Sequence, residues 1–214
     1  MINNPLGEWR PEFDRLSGFP CHLVPRIDMF GAVPDWKLEE LSGTEIPIIT
    51  PFTKENLNGY GYDVTLSGSL WKLCNWCGPI DPLNPPPDDA WKRIEHKNGE
   101  KVIVSPGELW LALTEEWFNI PSNMICLMLN RSKFARAGAS PNCGIAPGEP
   151  GWSGRFVLEL EASARPVVYT VGACVAQVMF IAGAPCRNPY SSKEHVYQNQ
   201  EAILGPMAHE RELK

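Results

Sequence analysis

The chain is short of what a membrane or a nucleic-acid surface would require. No apolar stretch in its 214 residues reaches the roughly 18 that a spanning helix needs. The opening MINNPLGEWRPEFDRL has neither the basic end nor the apolar run of a secretory leader. Nineteen Lys and Arg stand against 25 Asp and Glu, a formal net charge of -6, so a broad basic face is excluded. Metal signatures are missing too. CNWC at 74–77 has no second CxxC or CxxH to complete a tetrahedral site, and the four histidines, at 22, 96, 195 and 209, lie apart with none opening an HxE triplet. Neither GxxxxGK[ST] nor GxGxxG occurs. These absences predict a soluble cytoplasmic protein that binds neither nucleic acid nor membrane and holds no zinc. Its seven cysteines are expected to be reduced, with Cys126 and Cys174 acting as small hydrophobes inside apolar runs.

What is present is punctuation. Twenty-one prolines and 18 glycines cut the sequence into short pieces rich in β-branched and aromatic residues, the texture of an all-β domain. Strands are expected at 45–50, 60–66, 101–105, 108–118, 124–130, 154–162, 166–171 and 174–182. Helix is expected only at 34–42, in a short turn over SKFARAG, and at 191–202. One β domain should run from 45 to 204, with a Pro-rich excursion at 77–100. Residues 1–44 are set aside as an N-terminal extension and 205–214 as a tail.

Three stretches carry chemistry. NRSKFARAG, at 130–138, crowds Arg131, Lys133 and Arg136 into six residues of an acidic chain, and Ser132 is placed to cap the following turn. Such donors suit phosphate oxygens, as in a nucleoside triphosphate, although a basic turn can also simply be solvated. In the strand GRFVLELEA, alternation sends Phe156, Leu158 and Leu160 to one face and Arg155, Val157, Glu159 and Glu161 to the other. Glu159 therefore leaves the core, either to be solvated or to act as a general base beside the cations. The segment NPYSSKEHVYQNQ brings Tyr190, Lys193, Tyr197 and Gln200 near the end of the chain, where phenols and amides can close over a ligand or fray.

In this order, RSKFARAG, PGWSGRFVLE and a terminal YxxQ resemble the dCTP deaminase family, a branch of the trimeric dUTPase-like proteins. IPIITPFTKENLNGYGYDVTL and SPGELWLALTEEWFNIP look like the family's earlier segments, so the resemblance runs from about residue 45. It implies a dUTPase-like distorted β-barrel or jelly roll of the β-clip type, a homotrimer with active sites between subunits, and zinc-independent deamination of dCTP, or of a base-modified dCTP, to dUTP. Glu159 then matches the general base, with Ser132 and Arg136 organising base and water. Arg131 and the backbone of Lys133, Phe134 and Ala135 match the triphosphate loop, with magnesium carried by the nucleotide. Val157 and Leu158 match the cytosine pocket, Glu149 a sugar contact, and Tyr190, Tyr197 and Gln200 the closing tail. The resemblance also implies dTTP as an inhibitor. Departures are Lys133 for a serine, Glu149 for an aspartate, Pro147 for an arginine and Val196 for a lysine. Two alternatives follow: a dUTPase or bifunctional enzyme giving dUMP, and a nucleotide-binding regulator without turnover.

Overall fold

The structure is a computed structural model that describes residues 29–141, 147–192 and 197–206. In chain order the strands are β1 (Gly31–Ala32), β2 (Ile49–Thr50), β3 (Leu57–Asn58), β4 (Gly61–Leu73), β5 (Trp91–Glu95), β6 (Lys101–Val104), β7 (Trp110–Thr114) and β8 (Trp117–Asn119). They continue with β9 (Met124–Asn130), β10 (Ala139–Ser140), β11 (Pro147–Gly148), β12 (Ser153–Gly154), β13 (Val157–Ala162), β14 (Val167–Thr170) and β15 (Cys174–Ala182). Two helices, α1 (Asp35–Ser42) and α2 (Ser132–Arg136), complete the regular structure apart from three-residue 3-10 turns.

Every pairing between two of these strands is antiparallel. The main sheet runs β10-β13-β7-β4-β15-β9-β11, with β1 on β15 and both β3 and β5 on β4. Two smaller sheets, β12-β8-β2 and β14-β6, close over it. The chain can curl this way because β4, 13 residues long, changes partners along its length and slips register between Leu66 and Leu70. Its first half pairs with β15 and its second with β5 and β7.

The core follows from alternation. Tyr62, Val64 and Leu66 of β4, Leu158 and Leu160 of β13, and Val178 and Phe180 of β15 are all at most 1% exposed. Phe118 lies among them with its ring 5.0 Å from Phe156 and 6.5 Å from Phe180. Val33, Leu38 and Leu41 belong to this same cluster, so the segment set aside as an extension contributes α1 to the core. Residues 1–28 lie outside the described residues.

Several elements differ from the sequence expectation. The run 108–118 breaks into β7 and β8, and 154–162 into β12 and β13, because Arg155 and Phe156 leave the ladder between them. The helix expected at 191–202 is absent from the described residues. Tyr190–Ser192 forms a single 3-10 turn, and after a turn at 197–199 Gln200 bridges Gly154 in parallel. The Pro-rich excursion is not wholly irregular either, since its last part forms β5 against β4.

Candidate active site

The main sheet has a second apolar face. Register places Glu159 of β13 opposite Leu111 of β7, Leu111 opposite Trp71 of β4, and Trp71 opposite Arg93 of β5. One neighbouring row holds Val157 and Leu113, and the next strand pair sets Leu73 opposite Trp91. These apolar residues form a cluster of their own with Ala90 and, from the chain's last described segment, Ile203. Leaving the core face therefore does not take Glu159 into water. It stands half-buried in a cavity of about 490 Å³ walled by this cluster, by the PGWSG turn and by the tail.

Burial is the largest influence on the Glu159 carboxyl and pushes its pKa above the ordinary value, opposed by a hydrogen bond from its own backbone. The cavity wall includes Gly148, Glu149, Trp152 and Phe156 together with Trp91 and Leu204. Gly148 is needed where it stands, because a Cβ there would collide with Ile120 Cδ1 and come 2.7 Å from Phe156 Cζ. The tail is held in place by its backbone. Trp152 Nε1 donates to Tyr197 O at 2.7 Å, Asn199 N to Ser153 O at 2.9 Å, and Arg155 N to Gln200 O at 2.9 Å. Tyr190, Tyr197 and Gln200 thereby join the lining, and burial raises the Tyr190 phenol above its usual pKa.

Of the residues singled out in the sequence, the cavity gathers Glu149, Val157, Glu159, Tyr190, Tyr197 and Gln200. Leu158 is not among them: it is fully buried in the main core, because alternation turns it away from Glu159. Phe156, expected in the core, does pack against it, and, sitting where the strand is interrupted, it also sets its ring 4.5 Å from Trp152 and lines the cavity.

The basic turn lies elsewhere in the chain. α2 leads into β10, whose Ala139 pairs with Ala162 at the far end of β13 from Val157, and none of residues 131–136 lines the cavity. The helix is fixed by Phe134, which stacks on Tyr169 at 5.8 Å, and ends at Gly138, whose φ of 72° favours glycine. Arg131 occupies the N-cap position and no side chain caps the helix, so Ser132 does not play the expected capping role. Ser132, Lys133, Ala135 and Arg136 are exposed. Lys193 and Val196 lie outside the described residues.

Two acids escaped the sequence reading. Asp63 of β4 pairs with Arg131 at 2.8 Å, and Glu116, only 2% exposed, accepts the Thr65 amide with both oxygens at 3.1 and 2.9 Å. Asp63 was visible as an acid on the outward face of the strand YGYDVTL; Glu116 gave no signal beyond its place in TEEW. Among the described residues no three His, Cys, Asp or Glu side chains gather to hold a metal ion, and Cys74 and Cys77 are exposed and free.

Comparison with known proteins points to one family. A family model described as dCTP deaminase-like matches residues 33–183. The dCTP deaminase of Campylobacter curvus is 33% identical over 174 residues, spanning 76% of this chain and 90% of that protein. The dCTP deaminase of Protochlamydia amoebophila is 30% identical over 153 residues, spanning 71% and 79%. Among solved structures, the 2'-deoxycytidine 5'-triphosphate deaminase from Agrobacterium tumefaciens shares the fold with a TM-score of 0.57 at 14% identity, over 72% of this chain. This chain spans about half of that structure's length, 48%. A matched segment of 151 residues, well over half of the chain, makes it a member of the dCTP deaminase-like family.

Proposed function

We propose that the protein hydrolyses dCTP to dUTP and ammonia, with Glu159 as general base. The carrying observation is a carboxylate whose pKa is raised by burial, projecting from a rigid strand into a cavity that also presents Glu149, Tyr190, Tyr197 and Gln200. In the reaction Glu159 takes one proton from water and passes it to ring N3 as the oxygen adds to C4. The second water proton goes to the exocyclic amine as the C4–N4 bond breaks, leaving the C4 carbonyl and ammonia. Phe156, Val157 and Leu111 keep bulk water from the ring, which strengthens each polar contact within the cavity.

Ser132, Lys133 and Arg136 are exposed and outside their own subunit's cavity, so the reading places them in the cavity of a neighbouring copy, within a homotrimer. There the cations meet the triphosphate and Ser132 and Arg136 reach the base and water. Magnesium arrives with the nucleotide, its hard oxygen ligands supplied by phosphate and water, since the described residues offer no cluster of acids to cage it. Zinc has no part in the step. dTTP, which shares the sugar and triphosphate, competes for the same site. Free thiols at Cys74, Cys77, Cys126, Cys174 and Cys186 suit a reducing cytoplasm. A second reading, onward hydrolysis to dUMP, is favoured by Glu149, a further carboxylate on the cavity wall.

The test is to incubate the protein with dCTP, dUTP, dCMP or CTP and magnesium, following ammonia and pyrophosphate. Ammonia alone from dCTP supports deamination, and pyrophosphate supports the second reading. Nucleotide binding without product would make the protein a regulator and overturn both.

A further inference from the structure

Arg131 is not free to swing. It follows directly on β9, whose Asn130 lies opposite Ala176 of β15, and its side chain reaches back across two neighbouring strands. On β15 its Nη1 donates to the Cys174 carbonyl at 2.7 Å, and on β4 its Nη2 meets Asp63 Oδ2 at 2.8 Å. The Asp63 side chain is 14% exposed and that of Arg131 33%. The Asn58 side chain from β3, whose Nδ2 donates to Asn56 O at 3.2 Å, also favours the ionised form of Asp63.

Burial would favour a protonated Asp63, and Arg131 opposes that, so each charge is partly justified by the other. A guanidinium is planar with five donors in a fixed fork. Two anchors on different strands set its plane, and the remaining donors then point in fixed directions from the start of the basic turn.

We propose that Asp63 is a positioning residue for the triphosphate: with the Cys174 carbonyl it fixes the plane of Arg131, and it governs triphosphate affinity rather than the deamination step. The assignment rests on the deaminase reading above. Losing one charge-assisted anchor should cost about tenfold in affinity.

The experiment measures binding of dUTP and of dUMP, each with magnesium, to the wild-type protein and to Asp63→Asn. The expected result is dUTP weakened about tenfold, dUMP changed less than about twofold, KM for dCTP raised in parallel and kcat retained. In an Arg131→Gln background the Asp63 substitution should have no further effect. Asn58→Ala, which loosens Asp63 without removing its charge, should give a smaller shift of the same kind, and serves if Asp63→Asn fails to fold. Equal weakening of dUTP and dUMP, a fall in kcat at unchanged KM, or additivity with Arg131→Gln would overturn the proposal. A wild-type protein that binds dUTP but releases no ammonia from dCTP removes the deaminase reading and leaves the Asp63 assignment standing. Indifference of dUTP to Asp63→Asn does the reverse, and a wild type that does not bind dUTP defeats both.

Discussion

Replacing Ile203 by Ala should release the tail from the cavity without unfolding the domain. Ile203 is 2% exposed and is the tail's contribution to the cluster of Ala90, Trp91, Leu111 and Leu113. The change removes three carbons, worth about 2.4 kcal/mol at ~0.8 kcal/mol per buried methylene. A cavity penalty adds little because a terminal segment can settle into the gap, so the cost is about 2–3 kcal/mol. Nearly all of it falls on the docking of residues 197–206, which amounts to a roughly 30- to 150-fold loss in the docked-to-undocked ratio. Backbone bonds from Arg155 to Gln200 and from Asn199 to Ser153 remain to oppose release. Amide exchange at Arg155 and Asn199 should accelerate by one to two orders of magnitude, while exchange in β9 and β15 stays as it was. KM for dCTP should rise, because Tyr197 and Gln200 leave the wall with the tail. Unchanged protection at Arg155 and Asn199, with KM within about twofold of wild type, would refute the view that this side chain adds to the backbone bonds in holding the tail.

Other consequences can be checked alongside. Glu159→Gln should lower kcat by about 10²- to 10⁴-fold while dUTP affinity is kept, measured by ammonia release and calorimetry. Because the Glu159 pKa is raised and the base must be ionised, the acid limb of kcat/KM should fall at a pH above the usual carboxylate range. Glu108 is the opposite case: Lys72 at 2.5 Å, the Ser105 amide and Trp110 Nε1 hold its carboxyl down to about 2. A depressed folded-state pKa stabilises the protein above the unfolded value and is lost as pH falls through the folded one. Glu108→Gln should thus cost about 1–2 kcal/mol at neutral pH after allowance for solvent screening, and the gap to wild type should close between about pH 4.5 and 2 in urea titrations. Gly148→Ala should displace Ile120 and Phe156, the latter a wall of the cavity, lowering stability by about 1–3 kcal/mol and raising KM more than it changes kcat.

Strands made of an unbroken apolar run were legible in the sequence, and those that are charged or interrupted were not. β9 and β15 match the expected runs residue for residue, since each is a continuous apolar stretch bounded by turn residues and hemmed by partners on both sides. β5 was lost inside a Pro-rich excursion because WKRIE carries three charges and only one buried side chain, Trp91. The second half of β4 was lost because the expected strand stopped at Leu66, whereas the Gly68 carbonyl accepts the His96 amide at 2.8 Å and the strand continues through it. In the tail, a helix was expected over 191–202. The structure instead ties that backbone to the PGWSG segment, with the Asn199 amide donating to Ser153 O and the Tyr197 and Gln200 carbonyls accepting from Trp152 Nε1 and Arg155 N, through bonds of longer range than any sequence window can contain.

The same distinction explains what happened to Glu159. Alternation along β13 settles which residues it shares a face with, and that inference needs only the period of a strand. Whether that face meets water depends on β5, 64 positions or more earlier, and on Ile203, 44 positions later, both brought over it by the fold. A local pattern could therefore put the carboxylate outside the main core, but only the tertiary cover makes it half-buried and raises its pKa. The cover is also what separates catalysis from solvation: strip away Ile203 and Trp91, and Glu159 becomes one more hydrated acid on a strand, with an ordinary pKa and too weak a hold on a proton to serve as the base.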